Sequence, residues 1–256
     1  MRQSDGDSTI TRDRYDAVLF DLDGVITDTA SIHALCWKQM FDAYLQEREA
    51  RTGQPLPRFD AVADYRLHVD GKPRFDGVRD FLKSRGIDLP EGRHDDPPEA
   101  ETVCGLGNRK NRLVVRAIEE KGVKAYAGSV RFIDALRGQG YKVAVVSSSE
   151  NCEAVLKAAR VDGLFEVRVD GAMVEARHLA GKPAPDTFLI AAKLLSVEPS
   201  RTVVVEDALS GIEAGLAGKF GLVIGVARRD NAEELRRCGA HLVINDLGEL
   251  VDCRRT

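Results

Sequence analysis

Two aspartates at i and i+2, Asp21 and Asp23, close the apolar run Ala17-Val18-Leu19-Phe20 and are followed by Gly24. Side chains two apart on a strand share one side of the sheet, so the spacing predicts two acids aimed at one place. Buried, unpaired carboxylates are costly, and packing alone supplies no reason for two. The carboxyl end of a strand in an open α/β sheet is also where ligands bind. Chemically, one acid suits a nucleophile and the other a proton carrier, with a divalent cation holding them together.

Three further clusters follow in order. Val143-Ala144-Val145-Val146 runs into Ser147-Ser148-Ser149. Gly181-Lys182-Pro183-Ala184-Pro185-Asp186 places a lysine just before a proline-initiated helix. Thr202-Val203-Val204-Val205 ends in Glu206-Asp207, ahead of Ala208-Leu209-Ser210-Gly211. With these motifs in this order, the chain resembles the haloacid dehalogenase-like phosphotransferase superfamily. The string Phe20 to Thr29, with His33 and Trp37 after it, resembles the β-phosphoglucomutase-like family within it.

The resemblance implies Asp21 as the nucleophile that forms an aspartyl phosphate and Asp23 as general acid and base. It makes Ser147 a phosphate-binding hydroxyl and Lys182 the cation that neutralises phosphoryl charge. The implied cofactor is Mg²⁺, held by Asp21, the Asp23 backbone carbonyl and Asp207, with Glu206 acting directly or through water. The implied substrate contacts are Thr29, His33, Trp37, Arg74, Lys110, Asn111, Ser148 and Asn151, with Lys72 an alternative to Arg74 for the phosphate that is not reacting. His33 would relay the approach of a sugar hydroxyl to Asp23. The expected reaction converts β-D-glucose 1-phosphate to glucose 6-phosphate through a bound glucose 1,6-bisphosphate. The alternative is a sugar-phosphate phosphatase, in which water attacks the aspartyl phosphate. A non-catalytic sugar-phosphate sensor would have no need to keep both Asp21 and Asp23.

The elements that position these residues follow from periodicity. Residues 142–147, 165–169, 202–206, 222–226 and 242–244 read as strands, with helices near 150–160, 185–195, 208–218 and 231–238. Alternating strands and helices predict a parallel, Rossmann-like α/β sheet, which residues 16–21 must join. Residues 29–125 carry little strand character. Ala30, His33, Ala34, Trp37, Met40, Phe41 and Tyr44 recur at helical spacing, so 29–48 reads as an amphipathic helix, with others near 60–69, 76–85 and 108–121. The resemblance makes this insertion a helical cap. The expected domains are a polar tail over 1–14, a core over 15–28 and 126–256, and a cap over 29–125. Relative to shorter family members, segments near 51–58 and 90–103 are inserted.

Composition narrows the partners. The 256 residues are 43% hydrophobic, enough for a real core, and 37 basic residues face 41 acidic ones for a net charge of −4. With no basic stripe, a nucleic-acid partner is not expected; a small sugar phosphate is. No apolar run approaches the roughly 18 residues of a membrane helix, and the polar N-terminus lacks the apolar core of a secretory signal. A cytoplasmic monomer is expected. Cys36, Cys104, Cys152, Cys238 and Cys253 are scattered without a Cys-x-x-Cys pair, which predicts neither a zinc site nor a disulfide framework.

Overall fold

The structure, a computed structural model, describes residues 10–252. The chain forms two compact units, one built from residues up to 28 and from 124 onward, the other from Thr29–Val123. In chain order the elements are β1 (Ala17–Phe20), α1 (Ala30–Thr52), a π-helical turn (Tyr65–Val69), α2 (Arg74–Ser84), α3 (Val103–Lys121), α4 (Ala127–Gly138), β2 (Lys142–Val146) and α5 (Cys152–Ala158). There follow β3 (Val167–Val169), α6 (Gly171–Ala176), α7 (Asp186–Leu194), β4 (Thr202–Glu206), α8 (Leu209–Ala217), β5 (Leu222–Val226), α9 (Ala232–Cys238), β6 (Leu242–Ile244) and α10 (Glu249–Asp252).

The first unit is a six-stranded parallel sheet in the order β3-β2-β1-β4-β5-β6. Its central strands β1, β2, β4 and β5 are apolar at successive positions because helices cover both faces. Ala17, Leu19, Ala144, Val146, Val204 and Val223 pack with Phe188 of α7, Ile212 of α8 and Leu235 of α9. On the other face Phe20 meets Phe132 of α4 edge-on at 6.2 Å. Each fully buried valine or phenylalanine here contributes about 1.5–3 kcal/mol of transfer free energy. The order reverses between β1 and β4, which is where sheets of this kind open a crevice at their carboxyl ends. Phe20 pairs with Val205, so the next rung sets Asp21 level with Glu206.

Several boundaries differ from the sequence reading. β1 stops at Phe20, so Asp21 and Asp23 lie beyond the strand and the i, i+2 geometry of a strand does not place them. Asp21 keeps a ladder bond, its N–H donating to Val205 O at 2.9 Å, while Asp23 enters a turn closed by Gly24 N–H to Thr27 O at 2.8 Å. Helix α4 is not announced by the residue pattern, since Gly128 and Ser129 in its first turn are weak helix formers. Of the expected polar tail, residues 1–9 lie outside the described residues, as does Cys253. Residues 10–14 are an ordered turn with Ile10 buried and Tyr15 N–H donating to Thr11 O. The other four cysteines are free thiols, each with its pKa pushed up by burial. No helix among the described residues is long and apolar enough to cross a membrane.

The second unit is helical. The buried face of α1 contributes Trp37, Met40, Phe41, Tyr44 and Leu45 to a core shared with Val78 and Phe81 of α2 and Val103, Cys104 and Leu106 of α3. Its centre is aromatic, with Phe41 stacked 5.3 Å from both Trp37 and Phe59. Helix α3 begins at Val103, earlier than periodicity predicts, because Thr102 caps it by accepting the Gly105 N–H at 2.9 Å. The helix expected over 60–69 starts later, because Asp60 spends its carboxylate on the N–H groups of Val62 and Ala63.

Candidate active site

Strand ends and loops of the sheet unit bring Asp21, Ser147, Lys182, Glu206 and Asp207 into its buried interior, with Asp23 half-buried beside them. Lys182 is fully buried, and its ammonium donates to Asp21 Oδ1 at 2.6 Å, to Glu206 Oε1 at 2.6 Å and to Val146 O at 3.2 Å. All three ammonium protons are thereby used. Glu206 is held at both oxygens, because Oε2 accepts the N–H groups of Asp207 and Ala208 at 2.9 and 3.0 Å. The bond to Ala208 satisfies the backbone N–H of the residue that precedes α8. Gly211 lets Glu206 sit there, since a Cβ would lie 1.9 Å from its carboxyl carbon.

Asp21, Glu206 and Asp207 each offer an oxygen within 4.8 Å of the others, all buried. Burial raises the Asp21 carboxyl well above the ordinary aspartate range, opposed by Lys182 and reinforced by Glu206, Asp23 and Asp207. Burial also works against the Lys182 charge, but Asp21 and Glu206 outweigh it and hold its pKa above the ordinary lysine value. Burial is the main reason that Asp21 is lifted, and the neighbouring carboxylates add to it. An all-oxygen donor set carrying surplus negative charge suits a hard divalent cation.

Two residues at this site carry no motif. Arg229 Nη2 donates to Asp207 Oδ2 at 2.8 Å, and Asn231 Nδ2 donates to the Asp207 carbonyl at 3.0 Å. Both lie on the loop after β5, the strand next to β4. Only their place after a neighbouring parallel strand could have signalled them. Gly24 is also required: it sits at φ +88°, and a Cβ there would lie 2.0 Å from Asp207 Oδ2. The serine loop is shaped by its own hydroxyls, with Ser147 Oγ accepting from Ser149 N–H and Ser149 Oγ from Asn151 N–H, each at 3.1 Å. Ser148 and Asn151 are half-buried on it.

The helical unit gathers a second group. Thr29 and His33 are one turn apart, joined by His33 N–H to Thr29 O at 3.0 Å. Lys110 is buried, with its ammonium 2.8 Å from His33 Nδ1 and 4.7 Å over the Trp37 ring. An ammonium only donates, so Nδ1 accepts and the His33 proton resides on Nε2. Trp37 is 2% exposed and belongs to the aromatic core, where it is a platform for Lys110. Arg74 donates to Asn108 Oδ1 at 3.0 Å, whereas Lys72 is paired with Asp80 at 2.5 Å. Asn111 is half-buried one residue after Lys110 on α3.

Known proteins resemble this chain in sequence and fold. The haloacid dehalogenase-like hydrolase family model matches residues 15–218. A β-phosphoglucomutase of Mycobacterium bovis is 52% identical over 92% of this chain and 91% of its own length. A β-phosphoglucomutase of Bacillus subtilis is 30% identical over 91% of each chain. The crystal structure of a β-phosphoglucomutase from Clostridium difficile shares the fold, with TM-score 0.69 and 24% identity over 92% of this chain and 93% of that one. The chain belongs to the haloacid dehalogenase-like superfamily and, within it, to the β-phosphoglucomutase-like family.

Proposed function

We propose that the chain isomerises β-D-glucose 1-phosphate to glucose 6-phosphate, with Mg²⁺ held by Asp21, the Asp23 carbonyl and Asp207. The observation that carries the reading is the buried Asp21-Lys182-Glu206-Asp207 cluster at the β1/β4 crevice, in a chain 52% identical to a β-phosphoglucomutase. When bound, the ion offsets the repulsion between a carboxylate and a phosphoryl group. Asp21 is the nucleophile. Lys182 orients its carboxylate by donating to Oδ1. Asp21 takes a phosphoryl group from glucose 1,6-bisphosphate, whose sugar oxygen leaves with a proton from Asp23, and carries that group as an acyl phosphate. Asp23 takes the proton of the sugar 6-hydroxyl as that oxygen attacks, then returns one to the departing oxygen when Asp21 takes back the 1-phosphate. Ser147 adds a hydroxyl donor to the phosphoryl oxygens.

In the helical unit, His33 presents its Nε2–H to a sugar oxygen, a state fixed by Lys110. Arg74 binds the phosphate that is not reacting. Its partner Asn108 is neutral, and a guanidinium suits a planar, bidentate contact with phosphate. Lys72 spends its charge on Asp80. Glu206 acts mainly by fixing Lys182 and the start of α8.

The test is product analysis with the purified chain, Mg²⁺, β-glucose 1-phosphate and a trace of β-glucose 1,6-bisphosphate. Glucose 6-phosphate should form faster than inorganic phosphate. Inorganic phosphate with free glucose would establish a phosphatase instead.

A further inference from the structure

We propose that Asn108 is a positioning residue for Arg74, and that the inserted loop over residues 90–102 sets its orientation. The inference rests on the reading that Arg74 takes the distal phosphate. Arg74 opens α2, with its guanidinium 4.5 Å over the Phe75 ring and its Nη2 on Asn108 Oδ1 at 3.0 Å. An amide has one oxygen and two N–H protons, and which end faces a guanidinium decides between attraction and repulsion. Here the loop decides. Asn108 Nδ2 donates to His94 O at 2.9 Å and to Asp96 O at 2.8 Å, so both protons are committed to the loop and the oxygen is left for Arg74.

The loop that supplies those carbonyls is itself fastened. Val103 N–H donates to Pro90 O and Cys104 N–H to Glu91 O, each at 3.0 Å. Thr102 Oγ1 donates to Asp96 Oδ2 at 2.7 Å while capping α3. The His94 ring lies 4.8 Å from that of Phe75, on which Arg74 rests. Gly107 makes the room, since a Cβ there would come within 2.6 Å of Phe75 and 3.6 Å of Arg74 Cγ. The insertion therefore aims a phosphate-binding arginine through the Asn108 amide, which is itself neutral. A carboxylate in place of Asn108 would bind Arg74 more tightly and cancel the charge a phosphomonoester needs.

The experiment measures kcat and KM for β-glucose 1-phosphate in wild type, Arg74→Ala, Asn108→Leu, Asn108→Asp and the Arg74→Ala/Asn108→Leu double variant, with a melting curve for each. Asn108→Leu should raise KM about tenfold with kcat within about twofold, and should add almost nothing on the Arg74→Ala background. Asn108→Asp, close to isosteric, should raise KM at least as far, and covers the case in which Asn108→Leu fails to fold. If Arg74→Ala raises KM and the folded Asn108 variants do not, the positioning role is wrong and the distal-phosphate reading stands. If kcat and stability fall together and the two KM effects simply add, Asn108 is merely structural and the proposal fails. If Arg74→Ala keeps wild-type KM, the distal-phosphate reading fails and takes this inference with it.

Discussion

At the scale of single residues, Lys182 and Asp21 make opposite demands. Lys182 is fully buried between two carboxylates, Asp21 and Glu206. Removing it leaves both carboxylates in a dry site without the ammonium that lies between them. Lys182→Met should therefore destabilise the chain by about 3–5 kcal/mol in denaturant unfolding. A loss under about 1 kcal/mol would mean that water reaches the site. Asp21 differs, because burial, Glu206, Asp23 and Asp207 all disfavour its charge and only Lys182 supports it. Asp21→Asn should abolish turnover, by at least about 10³-fold, yet should not lower the melting temperature of the metal-free protein. A variant that kept wild-type turnover would remove Asp21 as the nucleophile. A variant that melted much earlier would show that the Lys182 pair outweighs burial.

At the scale of elements, the turn after β1 and the loop after β5 decide where Asp207 sits. Gly24 occupies the left-handed region, and any Cβ there collides with the Asp207 carboxylate. Gly24→Ala should cost about 1–3 kcal/mol of stability and weaken Mg²⁺ binding about tenfold or more in calorimetric titration; unchanged metal affinity would exclude the clash. Farther along, Asp246 before α10 pairs with Arg228 at 2.5 Å and accepts the Gly248 N–H at 2.7 Å. Burial works to raise its carboxyl, but Arg228 and the Gly248 N–H outweigh it and hold the pKa below the ordinary 3.8. A depressed carboxyl stabilises above the unfolded pKa and loses that contribution as pH falls through the folded one. The melting-temperature gap between wild type and Asp246→Asn should thus be full above about pH 5 and close below the ordinary aspartate value. A gap independent of pH would assign the loss to packing.

These cases also show what a sequence makes legible. Val203-Val204-Val205 suits a strand covered on both faces, and the alternation of such runs with helices makes the parallel sheet readable without coordinates. Helix α4 is not, because Gly128 stands where Asp246 approaches from far along the chain, an Asp246 oxygen lying 1.7 Å from where its Cβ would be. The acids stand at or just beyond strand ends and Lys182 in the loop before α7, places where residue type alone suggests chemistry. Arg229, Asn231 and Asn108 do not, because each acts through a partner distant in sequence: 22, 24 and 34 residues away.

At the scale of the whole molecule, the chain assigns different chemistry to its two units. The carboxylates able to hold a metal, Asp21, Glu206 and Asp207, all lie on the sheet unit. Lys110, His33, Arg74 and Asn108 all lie within Thr29–Val123. Ligands that address one group should therefore report on one unit. Hydrogen exchange with Mg²⁺ alone should protect amides around residues 21–24 and 206–208, where donors and turn are fixed by the ion. At a hundred times its dissociation constant, the ion adds about 2.7 kcal/mol of stability, reversible by chelation and absent in Asp207→Asn. Adding glucose 6-phosphate to the metal-loaded chain should then protect residues 74–78 and 107–111, and Arg74→Ala should remove the protection at the first of these segments. Protection of 74–78 by Mg²⁺ alone would show that the ion orders the helical unit before any sugar arrives. Failure of the sugar phosphate to protect either segment would place its recognition outside α2 and α3, and Arg74 would lose its role.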